Sequence, residues 1–219
     1  MLSIAPNKNS IMKKTLKLAV LALTTVIVAC KSDDDSGSNN NTVQVELKNH
    51  STTPHLLSVH PGFEDLNIYA LLSSEDVLQD SPNFVYGSMA DGCGLPNNAD
   101  GTYTLINNIE ADYAVARIIL DETFKPVKGE YILNSVATGN TAQCSGTLIT
   151  PEEHGFGPLY LSGGEWGGSA RYVYATDPYR DASAAGTART LTAMGQWTIE
   201  NAVPLHKDAY PGKTIVLIG

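Results

Sequence analysis

The sequence predicts a mainly β fold from Thr42 onward, on three observations. Apolar residues fall in short runs rich in Val, Ile, Tyr and Leu, each run is bounded by Gly, Pro, Asn or Asp, and no amphipathic stretch is long enough to compete as a long helix. This part holds about 178 residues, a length that suits one domain around one core, and no linker or shift in composition divides it.

Ahead of it runs MKKTLKLAVLALTTVIVAC, Met12 to Cys30, with Lys13, Lys14 and Lys17 followed by an uncharged stretch from Leu18 to Ala29. A transmembrane helix needs about 20 apolar residues and a signal-peptide core about 7–15, so residues 1–30 are expected to be a signal peptide ending in a retained cysteine rather than a spanning helix. Met12 is expected to be its start. Val26-Ile27-Val28-Ala29-Cys30 resembles a bacterial lipobox, in which the bond before the cysteine is cut and the thiol is acylated. Cys30 is therefore the expected lipidation site, and the acyl chains are the expected contact with the membrane. Lys31-Ser32-Asp33-Asp34-Asp35 resembles the acidic tether that directs some lipoproteins of the outer membrane to the cell surface. Cell-surface display is the first expectation, the periplasmic face the alternative. Residues 31–41 contain no aromatic or aliphatic side chain to offset ordering entropy, which predicts a disordered spacer.

The whole chain carries a net charge of −9. A leader that removes four of the 14 basic residues and none of the 23 acidic ones leaves −13. Such a balance argues against nucleic-acid binding and is compatible with hard cations such as calcium, or with solubility alone. Beyond Cys30 only Cys93 and Cys144 remain. Outside the cytoplasm they are candidates for a disulfide, and Cys144 alternatively for a metal ligand.

The expected strands follow in order: Val43 to Leu47, Leu66 to Leu72, Phe84 to Met89, Tyr103 to Asn107, Tyr113 to Leu120, Tyr131 to Leu133, Leu159 to Ser162, Arg171 to Ala175, Gln196 to Ile199 and Thr214 to Ile218. Asp100-Gly101, then Asp121-Glu122-Thr123 and Pro126 to Gly129, supply the turns of a meander from about Gly101 to Leu133. Asp181 to Thr190 is small and flexible, the composition of an exposed loop or a loose helical turn. Periodicity alone leaves sandwich, barrel and propeller open.

Three segments follow one another: Asp91-Gly92-Cys93-Gly94-Leu95, then Asp100 to Leu133 with Asn107-Asn108-Ile109-Glu110, then Gln143 to Gly168 with Gln143-Cys144-Ser145-Gly146 and Ser162-Gly163-Gly164-Glu165. Trp197-Thr198-Ile199-Glu200-Asn201 and Pro204 extend the succession. It resembles the PhoX-like family of secreted, alkaline-phosphatase-type enzymes and their lipoprotein relatives, over about Asp91 to Gly219. The resemblance implies a β-propeller that carries calcium and iron as cofactors and hydrolyses phosphate esters. Carried over by residue, it makes Glu110 and Glu165 oxygen ligands and Cys144 a thiolate ligand to iron, a sensible pairing of a soft donor with a transition metal. Ile109 stands where the family usually has histidine, and Gly164 where a second acid occurs.

Each of these residues has a plainer role open to it. Glu110 and Glu165 are also expected as solvated strand-end acids, and Cys144 as a disulfide or buried apolar residue. His154, between Glu152-Glu153 and Gly155, suits an exposed loop; His50, His55 and His60 share no helix or strand face and suit the surface. Trp166 and Trp197 suit a small core or a pocket wall. The apolar run Thr214 to Ile218 suggests a partial β-propeller, a few antiparallel blades incomplete at the C-terminus, and hence a truncated and inactive relative of the phosphatases. The alternative is a non-enzymatic surface lipoprotein that binds a glycan, peptide or partner protein.

Overall fold

The structure, a computed structural model, describes residues 45–219. The leader, Cys30 and the tether lie outside them, as do the first residues of the run expected at Val43. Among the described residues no helix is long and apolar enough to cross a membrane.

The fold is mainly β and antiparallel throughout. Strands β1 (Ala90–Gly94), β2 (Tyr103–Ile109), β3 (Ala114–Leu120) and β4 (Pro126–Leu133) form one sheet in chain order. A second contains β5 (Thr141–Ile149), β6 (Leu159–Gly167) and β7 (Val173–Thr176), and a third pairs β8 (Ala202–Pro204) with β9 (Val216–Ile218). The expected meander is the β2–β3–β4 part of the first sheet. Its second turn is shorter than expected. Asp121 closes it by accepting from Thr123 and Lys125, and Pro126 to Gly129 belong to β4. Proline is tolerated there as the first residue of a strand.

Strand alternation divides the first sheet into two apolar faces. Ile106 and Val115 point toward the second sheet, where they share a core with Tyr160 and Tyr174. Ile109, Ala116 and Ile118 point the other way. That second face is covered by Leu72, Phe84 and Tyr86, which accounts for two expected strands that are absent. Leu66 to Leu72 and Phe84 to Met89 do not pair as strands; they lay side chains over the sheet. Phe84 fills the space where a Cβ on Gly129 would stand, 2.2 Å from its ring. Gln196 to Ile199 is likewise unpaired, with Ile199 buried between the second and third sheets. Asp181 to Thr190 is the expected loop, with one helical turn at Ala182–Ala184.

Arg117, on the inner face of β3, joins the first two sheets. It donates to Glu130 on β4 and to the carbonyls of Pro178 and Arg180 beyond β7.

Candidate metal centre

Glu110 opens the single helical turn Glu110–Asp112 that links β2 to β3, and Tyr113 closes it with a left-handed backbone, φ 53°. The turn holds the Glu110 side chain at the end of the sheet. Trp166 on β6 donates to its Oε2 at 2.6 Å while packing edge-on against Tyr113.

Cys144 lies on β5, which packs against β1 and β2. Two glycines make this contact possible. A Cβ on Gly92 would lie 1.9 Å from the backbone nitrogen of Gly146, and a Cβ on Gly146 would lie 2.0 Å from the Tyr160 hydroxyl. Backbone therefore meets backbone, Tyr160 donates to the Gly92 carbonyl at 2.8 Å, and Asp91 is carried to Cys144. A similar approach occurs at Gly163, where a Cβ would lie 2.4 Å from the Ile199 carbonyl. It brings Glu200 alongside Glu165.

The result is a cluster of four carboxylates around one thiol. Ligand atoms of Asp91, Glu110 and Cys144 lie within 4.8 Å of one another, as do those of Cys144, Glu165 and Glu200. Cys144 is buried at the floor, Glu110 and Glu165 are half-buried, and Asp91 and Glu200 are exposed at the mouth. The thiol donates to Glu165 Oε2 at 2.8 Å. Asn108 Nδ2 donates to the Cys144 carbonyl, and Asn108 Oδ1 is buried without a partner.

Electrostatics follow from this crowding. Burial, then the hydrogen bond to Glu165, then the charges of Glu110, Glu165 and Glu200 push the Cys144 thiol far above its ordinary range. Burial, a hydrogen bond with Glu110 and the Glu110 charge raise Asp91. Burial and the charges of Glu165, Asp91 and Glu110 raise Glu200. Every resolved charge effect on these groups is repulsive. Among the described residues, none of the four carboxylates has a Lys, Arg or His partner within 4.0 Å.

The three residues singled out by sequence, Glu110, Cys144 and Glu165, thus meet in one place. Asp91 and Glu200 were missed as ligands although both stood in the motifs; the signal lay in the glycines beside them, Gly92 and Gly163, which mark close backbone approach. Trp166 was missed as the residue that positions Glu110. Cys93 and Cys144 are both free thiols, Cys93 exposed, so the disulfide alternative is not realised. His154 ends a short helix, Pro151–His154, where its Nδ1 accepts from the Thr150 backbone, and belongs to no such cluster. His55 and His60 are exposed and His50 half-buried, each in contact with a nearby carbonyl oxygen.

No protein-family model matches this chain, and neither a curated protein nor a solved structure matches it. The likeness to PhoX-like phosphatases rests on the quoted motifs alone.

Proposed function

We propose that this chain is a cell-surface lipoprotein that holds metal at the Cys144 cluster and, through it, binds phosphate esters, as a relative of the PhoX-like phosphatases. The carrying observation is the charge imbalance: four acids converge on a thiol with no basic partner among the described residues. Like charges so close oppose one another's ionisation, and a bound cation removes that cost.

The donor set fits the two metals that the resemblance implies. Asp91, Glu110, Glu165 and Glu200 supply the hard oxygens that calcium takes, with water completing its shell. Cys144 supplies the thiolate suited to iron. Bound there, these ions supply positive charge to phosphate oxygens and polarise water. Trp166 fixes the Glu110 carboxylate, and Glu165 stands ready to take the Cys144 proton that must leave when a thiolate ligand forms. The buried oxygen of Asn108 gains a partner if a cation or its water reaches it, relieving a cost of about 1–3 kcal/mol. In the fuller form of this proposal the sheets are blades of a partial β-propeller. The four-stranded antiparallel sheet in chain order has the layout of one blade.

Elemental analysis of the purified protein tests the metal, and calcium-dependent release of phosphate from para-nitrophenyl phosphate tests the chemistry. Iron is expected in proportion to protein and is expected to be lost in Cys144→Ser. Absence of iron and calcium under saturating supply sinks the proposal. Metal without phosphate release leaves the non-enzymatic surface binder in its place.

A further inference from the structure

We infer that the cleft formed by Trp197, Gln196 and Arg171 beside the metal centre is a subsite for a sugar ring, so that the phosphate ester taken by this protein is a sugar phosphate. The phosphate half of this statement rests on the proposed function; the ring half stands on the cleft itself.

The cleft is an open surface depression of about 540 Å³, within the range of about 300–1,000 Å³ found for small-ligand sites. Its wall is Gly167 to Ser169 with Arg171 on one side and Gln196 to Thr198 on the other. Trp197 is 42% exposed. Its indole is seated against the backbone of Gly195, where φ is 89° and a Cβ would stand 2.4 Å from ring carbon Cζ3. The platform is thus held in place while much of its surface remains open. An aromatic face carries partial negative charge and attracts the weakly positive C–H face of a sugar.

The polar groups around it are also fixed. Arg171 donates from Nε to the Gly168 carbonyl at 3.3 Å and from Nη1 to Thr198 Oγ1 at 3.0 Å. Those bonds set the guanidinium plane and leave the rest of its fork of donors to the cleft. Gln196 donates from Nε2 to the Ser169 carbonyl at 2.8 Å, which leaves its side-chain oxygen as an acceptor. A stacking face, a donor fork and an amide acceptor together match a ring that carries adjacent hydroxyls.

The cleft is joined to the metal centre through the chain. Gly167 is two residues after Glu165, Thr198 is two residues before Glu200, and Ile199 donates to the Gly164 carbonyl at 3.1 Å between them. Two residues of chain span at most about 7 Å, a gap that a phosphate esterified to a ring hydroxyl bridges.

Titration calorimetry of the full protein, saturated with calcium and iron, against hexose phosphates, glycerol phosphate and inorganic phosphate tests the subsite. At least one hexose phosphate is expected to bind about tenfold more tightly than ringless glycerol phosphate, the size of one lost aromatic contact. Trp197→Ala should abolish that difference, Trp197→Phe should keep most of it, and thermal melting should confirm that both variants fold. Phosphate binding without any gain from the hexose overturns the subsite and leaves the metal centre intact. If neither metal nor phosphate binds, saturation-transfer NMR with methyl hexosides decides separately. Ring signals lost in Trp197→Ala support the subsite, and no ring signal in the wild type overturns it.

Discussion

Replacing Glu200 by Gln should change stability in opposite directions with and without metal. Glu200 is exposed at the mouth of the cluster, with a ligand oxygen within 4.8 Å of those of Glu165 and Cys144. Two unit charges at that separation repel by about 0.9 kcal/mol in water and about 3.5 kcal/mol at an effective dielectric of about 20. Exposure places Glu200 near the lower figure, about 1 kcal/mol. The metal-free variant should therefore melt roughly 2–4 °C higher than the wild type, given the size of the domain. With calcium bound, the same change removes a ligand. A tenfold weaker affinity takes away about 1.4 kcal/mol of the stabilisation that ligand binding confers. Differential scanning fluorimetry in chelator and in saturating calcium reads both signs. A variant that melts lower than the wild type in chelator, and by the same amount in calcium, refutes the account of an acid held in place for a cation.

Gly146→Ala places a Cβ 2.0 Å from the Tyr160 hydroxyl in a buried crossing, and either β5 or the Tyr160 ring must move. A loss of about 1–3 kcal/mol is expected for such overpacking, measured by urea unfolding, together with a loss of metal, because the same crossing carries Asp91 to Cys144. The pH dependence combines two opposed groups of acids. The lowered group includes Asp76, where burial is outweighed by hydrogen bonds from Ser51, Thr52 and Ser73, and Asp121 as well as Glu130, so that Arg117 variants report the share of Glu130 alone. Asp91 and Glu200 have raised folded values, so the metal-free fold binds the extra protons and gains stability as the pH falls from neutrality into the upper carboxylate range. Glu130 is the reverse: burial raises it, but Arg117 and then Lys128 outweigh burial and lower it, so its contribution is present above the ordinary carboxylate value and is lost as the pH falls through its folded one. Metal-free melting temperature should pass through a maximum near about pH 5. Arg117→Met should flatten the acid side of that curve, and a curve whose acid side is unchanged in the variant contradicts the role given to the Arg117–Glu130 pair.

The β2–β3–β4 meander was legible because alternation, turn residues and strand length agreed there. The strand expected to end at Asn107 runs two residues further, to Ile109, and Glu110, placed at a strand end by the resemblance, follows it directly. The covering segments were not legible. Leu72, Phe84 and Tyr86 have the composition of strand residues, but what fixes them is a sheet face formed by residues far along the chain. Strands β1 and β5 were missed for the opposite reason. Asp91-Gly92-Cys93-Gly94 and Gln143-Cys144-Ser145-Gly146 are poor in β-formers, since their glycines are required by the crossing and not by the strand. In the third sheet β9 was legible in the apolar run Thr214 to Ile218, whereas β8, with only three residues, is too short for any period to register. At the site, the resemblance to PhoX-like enzymes pointed to Glu110, Cys144 and Glu165. Asp91 and Glu200 became visible only when the glycine contacts were known, because nothing local distinguishes a converging acid from a solvated one.

The order of burial in the cluster constrains how it can work. A thiol at the floor and acids at the mouth mean that an entering cation meets oxygen before sulfur. The carboxylates of Asp91 and Glu200, at the exposed edge of the cluster, are raised by partial burial and by neighbouring acids, whereas the buried Cys144 thiol is pushed much further in the same direction. A cation held by Asp91, Glu110, Glu165 or Glu200 would oppose the field that holds the Cys144 proton, with Glu165 placed to accept that proton. The five donors also come from separate pieces of the fold: β1, the turn after β2, β5, β6 and the segment before β8. Metal held by these two sets of donors would tie the first two sheets to the segment that leads into the third, and Gly92, Gly146 and Gly163 allow the backbones to come close enough for each set to form around Cys144. Glycine in those strands costs about 0.5–1 kcal/mol each relative to alanine through lost chain entropy. Sheet packing alone has larger side chains available for the same contacts; gathering Asp91 with Glu110, and Glu165 with Glu200, about Cys144 does not.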